Sequence, residues 1–161
     1  MAQPQRIRIT KRFTFEMAHA LHGHDGACAN IHGHSYILEV TLLGFPLHEP
    51  GHPKDGMVMD FADLKAVVKR EVLDRYDHAL MISERDAANL SQANGPFGAL
   101  RVVPWQPSCE NMVVDIAGRL KPCLPPRVEL LALRLWETAT SHAEWWANDQ
   151  SGVEQEDGNK E

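Results

Sequence analysis

The sequence predicts an α+β fold in the order strand, strand, helix, helix, strand, strand. Three observations carry this expectation. Residues 7–19 and 34–42 alternate apolar and polar with period two, residues 61–72 and 109–120 carry apolar stripes at helical spacing, and residues 127–138 return to a β-type composition.

In the first segment Ile7, Ile9, Phe13, Phe15 and Met17 are apolar while Arg8, Thr10, Arg12, Thr14 and Glu16 are polar, the pattern of a half-buried strand. His19 continues the apolar parity, so its imidazole projects to the core side if the strand reaches it without a bulge. Residues 21–30, rich in Gly and His, read as a loop. From His34 onward Tyr36, Leu38, Val40 and Leu42 alternate with Ser35, Glu39 and Thr41, which predicts a second strand antiparallel to the first. Pro46, Pro50, Gly51 and Pro53 mark a surface connection, after which residues 57–59 offer a brief extension of the strand pair.

Asp60 is a suitable N-cap for a helix whose stripe is Phe61, Leu64, Val68 and Val72. That helix is expected to fade between Leu73 and Tyr76 and to deliver Asp77-His78 to a junction. Residues 83–106 contain Asn94-Gly95-Pro96, Gly98 and Pro104 and read as a long connection of the size that often serves function. Pro107-Ser108-Cys109-Glu110 signals a second helix with Cys109, Met112, Val113, Ile116 and Leu120 on one stripe. In the strand that follows, Leu131, Leu133, Leu135 and Glu137 share one face, so an apolar row ends on a carboxylate. Trp145 and Trp146 mark a last strand after a turn near residues 140–142.

A chain of 161 residues with 43% hydrophobic content suits one domain, expected over residues 1–147. Residues 148–161 form an acidic tail expected to be disordered. The net charge of -6 argues against general affinity for nucleic acid or anionic membranes, and much of it is local to five acids in the tail: Asp149, Glu154, Glu156, Asp157 and Glu161. Cys28, Cys109 and Cys123 are odd in number and lack a Cys-x-x-Cys pair, which implies no disulfide framework and suits a reducing cytoplasm. No apolar run has the length of a membrane span, and the first residues lack the character of a signal peptide.

The chemistry concentrates in Cys28-Ala-Asn-Ile-His32-Gly-His34-Ser-Tyr36. Residues two apart on a strand share a face, so His32 and His34 can approach one metal ion. His19 is the expected third ligand, with His22 and His24 in the loop as rivals whose simpler reading is solvent exposure. Three imidazoles and an open position match catalytic rather than structural zinc. Cys28, just upstream, is either a fourth ligand or a thiol held beside the metal as a base. Cys109 and Cys123 read as a helix-stripe residue and a residue before a loop, without chemistry of their own.

Six stretches in order resemble the 6-pyruvoyltetrahydropterin synthase superfamily: Phe15-Glu16-Met17-Ala18-His19, Cys28-x-x-x-His32-Gly33-His34-Ser35, Asp60-Phe61-Ala62-Asp63-Leu64-Lys65, Asp77-His78, Pro107-Ser108-Cys109-Glu110-Asn111 and Glu137-Thr138. The three-residue gap between Cys28 and His32 is similar to the bacterial 6-carboxy-5,6,7,8-tetrahydropterin synthases of queuosine biosynthesis. The resemblance implies a tunnelling fold, in which a four-stranded antiparallel sheet carries two helices on one face and assembles into an oligomeric barrel. It further implies a homohexamer, a dimer of trimers, with active sites between subunits. It implies Zn2+ on His19, His32 and His34, a catalytic thiol at Cys28, and an Asp77-His78 pair that acts with it. It also implies that Glu137 anchors a pterin ring, with Glu110 and Ser108 near the pocket.

On that resemblance the substrate is 7,8-dihydroneopterin triphosphate, and the products are 6-carboxytetrahydropterin, acetaldehyde and triphosphate. A biopterin-type relative would instead release 6-pyruvoyltetrahydropterin and triphosphate. Three departures stand out: Pro107-Ser108-Cys109-Glu110 where bacterial relatives commonly read Pro-Thr-Ser-Glu, Ala79-Leu80-Met81 after Asp77-His78 without the family's Leu-Asn ending, and a long segment between Ser83 and Gln106. Two readings from other classes are a zinc hydrolase that does not need Cys28, and a pterin- or metal-binding module without turnover.

Overall fold

A computed structural model describes residues 3–90 and 98–151. The strand pair forms as its alternation predicts. β1 (Ile7–His19) and β2 (His32–Gly44) pair antiparallel in a register that runs unbroken from Ile7 opposite Gly44 to His19 opposite His32. β2 continues onto β5 (Val128–Trp136), and β5 onto β6 (His142–Trp146), both antiparallel. These four strands are the antiparallel sheet expected.

Two further strands widen it. β3 (Ala79–Ser83) adds parallel to the end of β1, and β4 (Leu100–Val103) adds parallel to β3, giving the order β4-β3-β1-β2-β5-β6. The sequence hides β3 because Ala79, Met81, Ile82 and Ser83 are all buried, so the segment shows no alternation. Between β3 and β4 lies a short helix, α3 (Glu84–Leu90), within the segment expected to be a long connection. The brief strand anticipated at residues 57–59 does not form.

The helical layer covers one face of the sheet. α1 (Phe61–Val68) starts at Asp60, whose side chain accepts from the Ala62 amide. It passes through a π-helical turn over Lys69–Leu73 into α2 (Asp74–Tyr76). Leu64, Val68, Val72 and Tyr76 are fully buried at a strict four-residue spacing. At 3.6 residues per turn such a row drifts by about 40° each step, and the wider π turn takes up that drift. Phe61, the first residue of α1 and ahead of the π turn, departs from the expected stripe: it is 47% exposed and lies under the Lys11 ammonium. α4 (Cys109–Leu120) buries Cys109, Met112, Val113, Ile116 and Leu120 against β5 and β6, as its stripe predicts.

A bulge in β5 corrects the parity assigned to that strand. Thr41 pairs with Ala132 and Leu42 with Leu130, which leaves Leu131 without a partner. Leu130, Leu133 and Leu135 therefore face the main core, while Leu131 is buried outside it. The opposite sheet face is polar. Arg12 pairs with Glu39, Arg134 with Glu39 and Glu144, and the Thr10 and Thr41 hydroxyls meet at 2.9 Å. Among the described residues the outer edge of β1 from Ile7 to Glu16 and the outer edge of β6 pair with no other strand. Of the tail, Ala147–Gln150 form a 3-10 turn and residues 152–161 lie outside the described part.

Leu38, fully buried at the sheet centre, sets the scale of the packing. Leu38→Ala is expected to cost about 2–5 kcal/mol. Tyr76 donates to Asp115 at 2.6 Å, and Tyr76→Phe is expected to cost about 1.5–3 kcal/mol because the acceptor is charged. Urea unfolding of both variants checks the ordering, with Leu38→Ala equal to the wild type as the contrary outcome.

Candidate active site

The register of β1 and β2 builds the site. Directly opposed residues share a face, and so do residues two apart, so His19, His32 and His34 all project to one side at one end of the sheet. The ring centroids of His19 and His32 are 4.5 Å apart, those of His32 and His34 5.0 Å, and those of His19 and His34 5.3 Å. One nitrogen from each ring lies within 4.8 Å of the others.

The rings are also oriented. His19 Nδ1 lies 2.7 Å from the Pro107 carbonyl and His32 Nδ1 lies 2.8 Å from the Asn30 carbonyl. A carbonyl only accepts, so each Nδ1 carries the proton and each Nε2 keeps its lone pair for the cluster. His34 Nε2 is buried with no hydrogen-bond partner among the described residues. An orphaned buried nitrogen facing two free lone pairs is the donor set a metal ion satisfies. Burial is the main effect on His19 and drives its pKa below 6.5; the positive potential of His32 and His34 adds to it, against the Pro107 carbonyl and the Glu137 carboxylate. His19 is thereby kept in the neutral, metal-binding form.

The rival histidines are engaged elsewhere. His22 Nδ1 pairs with Asp86 at 2.7 Å, and His24 Nδ1 accepts from the Gly26 amide at 2.9 Å. Cys28 sits half-buried on a 3-10 turn (Ala27–Ala29), and its sulfur is not in the group that meets within 4.8 Å. That placement counts against a fourth ligand. Cys109 is buried, donates its S–H to the Leu135 carbonyl, and has a pKa pushed up to about 12, chiefly by desolvation. It is packing, as expected.

Glu137 follows the end of β5 and reaches the cluster, with Oε1 3.5 Å from His19 Nε2 and 3.8 Å from His34 Nε2. The hydroxyl of Tyr36 donates to the same oxygen at 3.2 Å. Burial, and then the facing carboxylate, raise the Tyr36 pKa well above its ordinary value, so it remains a donor. Sequence reasoning passes over Tyr36 as a core residue of β2. Its parity with His32 and His34 is the signal that could have found it. A small cleft beside Glu137 is lined by Cys109, Glu110, Ser141 and His142, which brings Glu110 close to the expected anchor. Ser108 spends its hydroxyl as the N-cap of α4, accepting from the Asn111 amide.

Asp77 and His78 occupy the turn between α2 and β3. Asp77 Oδ1 accepts from the Glu16 amide at 3.0 Å and pairs with His78 Nδ1 at 2.9 Å. The His78 amide donates to the Glu16 carbonyl at 2.6 Å, and His78 has φ 59, a left-handed conformation rare for a residue with a side chain. His78 is 80% exposed and shares a groove of about 350 Å³ with Glu16, His34 and Ser35. Among the described residues of one chain, no hydrogen bond joins Cys28 to Asp77 or His78.

Known proteins of one family resemble this chain in sequence and in fold. The family model described as 6-pyruvoyl tetrahydropterin synthase matches residues 8–148. A Haemophilus influenzae protein named 6-carboxy-5,6,7,8-tetrahydropterin synthase is 41% identical over 146 residues, covering 86% of this chain and 98% of that protein. A Dictyostelium discoideum protein named 6-pyruvoyl tetrahydrobiopterin synthase is 32% identical over 68% of this chain and 86% of its own length. Among solved structures, the 6-pyruvoyl tetrahydropterin synthase of Caenorhabditis elegans superposes with a TM-score of 0.64 at 25% identity, over 91% of this chain and 99% of that one. The architecture is the tunnelling fold that the resemblance implies. By sequence and by fold, the chain belongs to the 6-pyruvoyl tetrahydropterin synthase family.

Proposed function

We propose that this chain is a zinc-dependent 6-carboxy-5,6,7,8-tetrahydropterin synthase that converts 7,8-dihydroneopterin triphosphate and one water to 6-carboxytetrahydropterin, acetaldehyde and triphosphate. The observation that carries the reading is the convergence of His19, His32 and His34, with the Nδ1 atoms of His19 and His32 tied back to carbonyls. The near full-length match to the Haemophilus influenzae relative favours the carboxy product over the pyruvoyl product. Three free cysteines suit a reducing compartment such as the cytoplasm. Among the described residues no helix is long and apolar enough to cross a membrane.

The three histidines would hold the metal, and a bound zinc ion supplies the Lewis acid that makes carbon-bound protons of the substrate side chain removable. Glu137 accepts two hydrogen bonds from the guanidine-like edge of the pterin, and Tyr36 fixes that carboxylate through Oε1. Cys28 removes a proton as thiolate. Asp77 holds His78 through Nδ1, which leaves Nε2 to move a proton at the other end of the side chain. Oxidation of the side chain is matched by reduction of the dihydropterin ring, so no redox cofactor enters. The exposure of His78, with no hydrogen bond to Cys28 among the described residues, supports a site completed between subunits. The unpaired edges of β1 and β6 support assembly of several sheets into a barrel, in a homohexamer.

Anaerobic incubation of the zinc-loaded protein with 7,8-dihydroneopterin triphosphate is expected to give acetaldehyde and 6-carboxytetrahydropterin in equal amounts. Cys28→Ala is expected to lower turnover by about 100-fold or more with metal content retained. Pyruvoyltetrahydropterin without acetaldehyde would move the assignment to the biopterin type, and full activity in Cys28→Ala would favour a hydrolase. Failure of the wild type to turn over any pterin would sink the enzyme.

The His19 shift sets a pH dependence. Because the folded pKa lies below 6.5, the unfolded chain binds more protons in the interval beneath 6.5, so stability falls as pH drops through it. Thermal melts of chelator-treated protein at pH 7.5 and 5.5 are expected to show lower stability at 5.5, with a smaller difference in His19→Gln. Equal pH dependence in the two proteins would contradict this assignment. Native mass spectrometry is expected to show a hexamer, and a monomer at micromolar concentration would overturn the shared-site reading.

A further inference from the structure

The loop that carries Cys28 is closed at its neck and held from outside. The Leu21 amide donates to the Cys28 carbonyl at 2.8 Å, which brings the two ends of the loop together. His22, next to that neck, is gripped on both backbone groups by one side chain. Its amide donates to Gln106 Oε1 at 3.0 Å, and its carbonyl accepts from Gln106 Nε2 at 2.8 Å. Its imidazole is held by Asp86 of α3. These partners belong to the segment between Ser83 and Gln106, the long departure to which the synthase reaction gives no role.

Gln106 is itself rigidly mounted. Its carbonyl accepts from the Ser108 amide at 2.8 Å and from Asn111 Nδ2 at 2.9 Å, which ties it to the first turn of α4. The next residue, Pro107, supplies the carbonyl that orients His19. Two adjacent residues thus hold the two halves of the site: Pro107 a metal-binding imidazole, Gln106 the loop of the thiol. A loop of ten exposed or half-buried residues has little packing to fix it, so these polar contacts set where its sulfur stands.

From this arrangement we infer that Gln106 is a positioning residue that, with Asp86 acting through His22, locks the Cys28 loop in register with the histidine cluster. The role assigned to the thiol rests on the synthase reading, but the clamp itself does not depend on turnover.

The test is peptide-resolved alkylation of the purified full chain by iodoacetamide, with metal content matched between wild type and variants. Cys123, also half-buried but in the 3-10 turn after α4, is the internal reference. In Gln106→Ala the Cys28 rate is expected to rise about tenfold or more relative to Cys123, because two hydrogen bonds that oppose loop opening are lost. Gln106→Glu keeps the acceptor for the His22 amide and loses the donor to its carbonyl, so it is expected to fall between wild type and Gln106→Ala. It also carries the test if the alanine variant does not fold. An unchanged Cys28 to Cys123 ratio in the folded variants would overturn the clamp, and so would a parallel rise at Cys28, Cys109 and Cys123, which is general loosening. Where the wild type turns over substrate, kcat is expected to fall about tenfold in Gln106→Ala with KM within about twofold; a change confined to KM would contradict positioning of the thiol. A wild type without activity would sink the synthase reading, and the alkylation ratio would still decide the clamp.

Discussion

The pairing of β1 with β2 is the constraint on which the rest of this structure depends. Thirteen consecutive residue pairs run without a bulge, so the parity set by Phe13, Phe15 and Met17 reaches His19 unchanged. A slip of one residue would turn His32 and His34 to the polar face of the sheet. The apolar residues that hold the register, Tyr36 and Leu38 against Phe15 and Phe13, are therefore also what aims the histidines. Stacking of Phe15 on Tyr36 at 5.1 Å lies one step inward from the clustered histidine rings and fixes the Tyr36 hydroxyl toward Glu137.

Around that hairpin the sheet divides its labour between faces. The helix-covered face gains its stability from burial and ends, at one edge, in polar chemistry. There the desolvation that stabilises a leucine instead lowers the pKa of His19 and raises those of Tyr36 and Cys109. The same environment thus keeps an imidazole neutral, a phenol protonated as a donor, and a second thiol inert. On the other face Arg12, Glu39, Arg134 and Glu144 pair across strands beside two sheet edges that, among the described residues, have no partner. Charged side chains on an open sheet discourage indiscriminate edge pairing while leaving geometry for a defined neighbour.

Asp77 and His78 show strain and hydrogen bonding working together. The left-handed backbone at His78 is held by two contacts with the Glu16 backbone, on the strand that also carries His19. Asp77 and His78 are thus anchored on the strand that carries His19, while Cys28 comes from a loop. That contrast explains why the loop needs its own anchor in Gln106, and why the anchor stands next to Pro107.

Much of this is legible in the amino-acid sequence. Period-two parity alone assigns His19, His32, His34 and the two central strands, because antiparallel pairing converts sequence spacing directly into facing side chains. The helix stripes identify α4 in full and α1 in part: Phe61 keeps the helical period but, as the first residue of α1, stays 47% exposed beneath Lys11. Parity misplaces Leu131, since a single bulge residue reverses it without changing composition. β3 is invisible because burial on both faces erases alternation. Tertiary structure alone decided the Pro107 carbonyl on His19 and the Gln106 clamp on His22, contacts that join residues 88 and 84 positions apart. The sequence by itself determined which side chains could face one another along a strand. Which carbonyl or amide would close on them from another element depended on how the layers pack, and no local period carries that information.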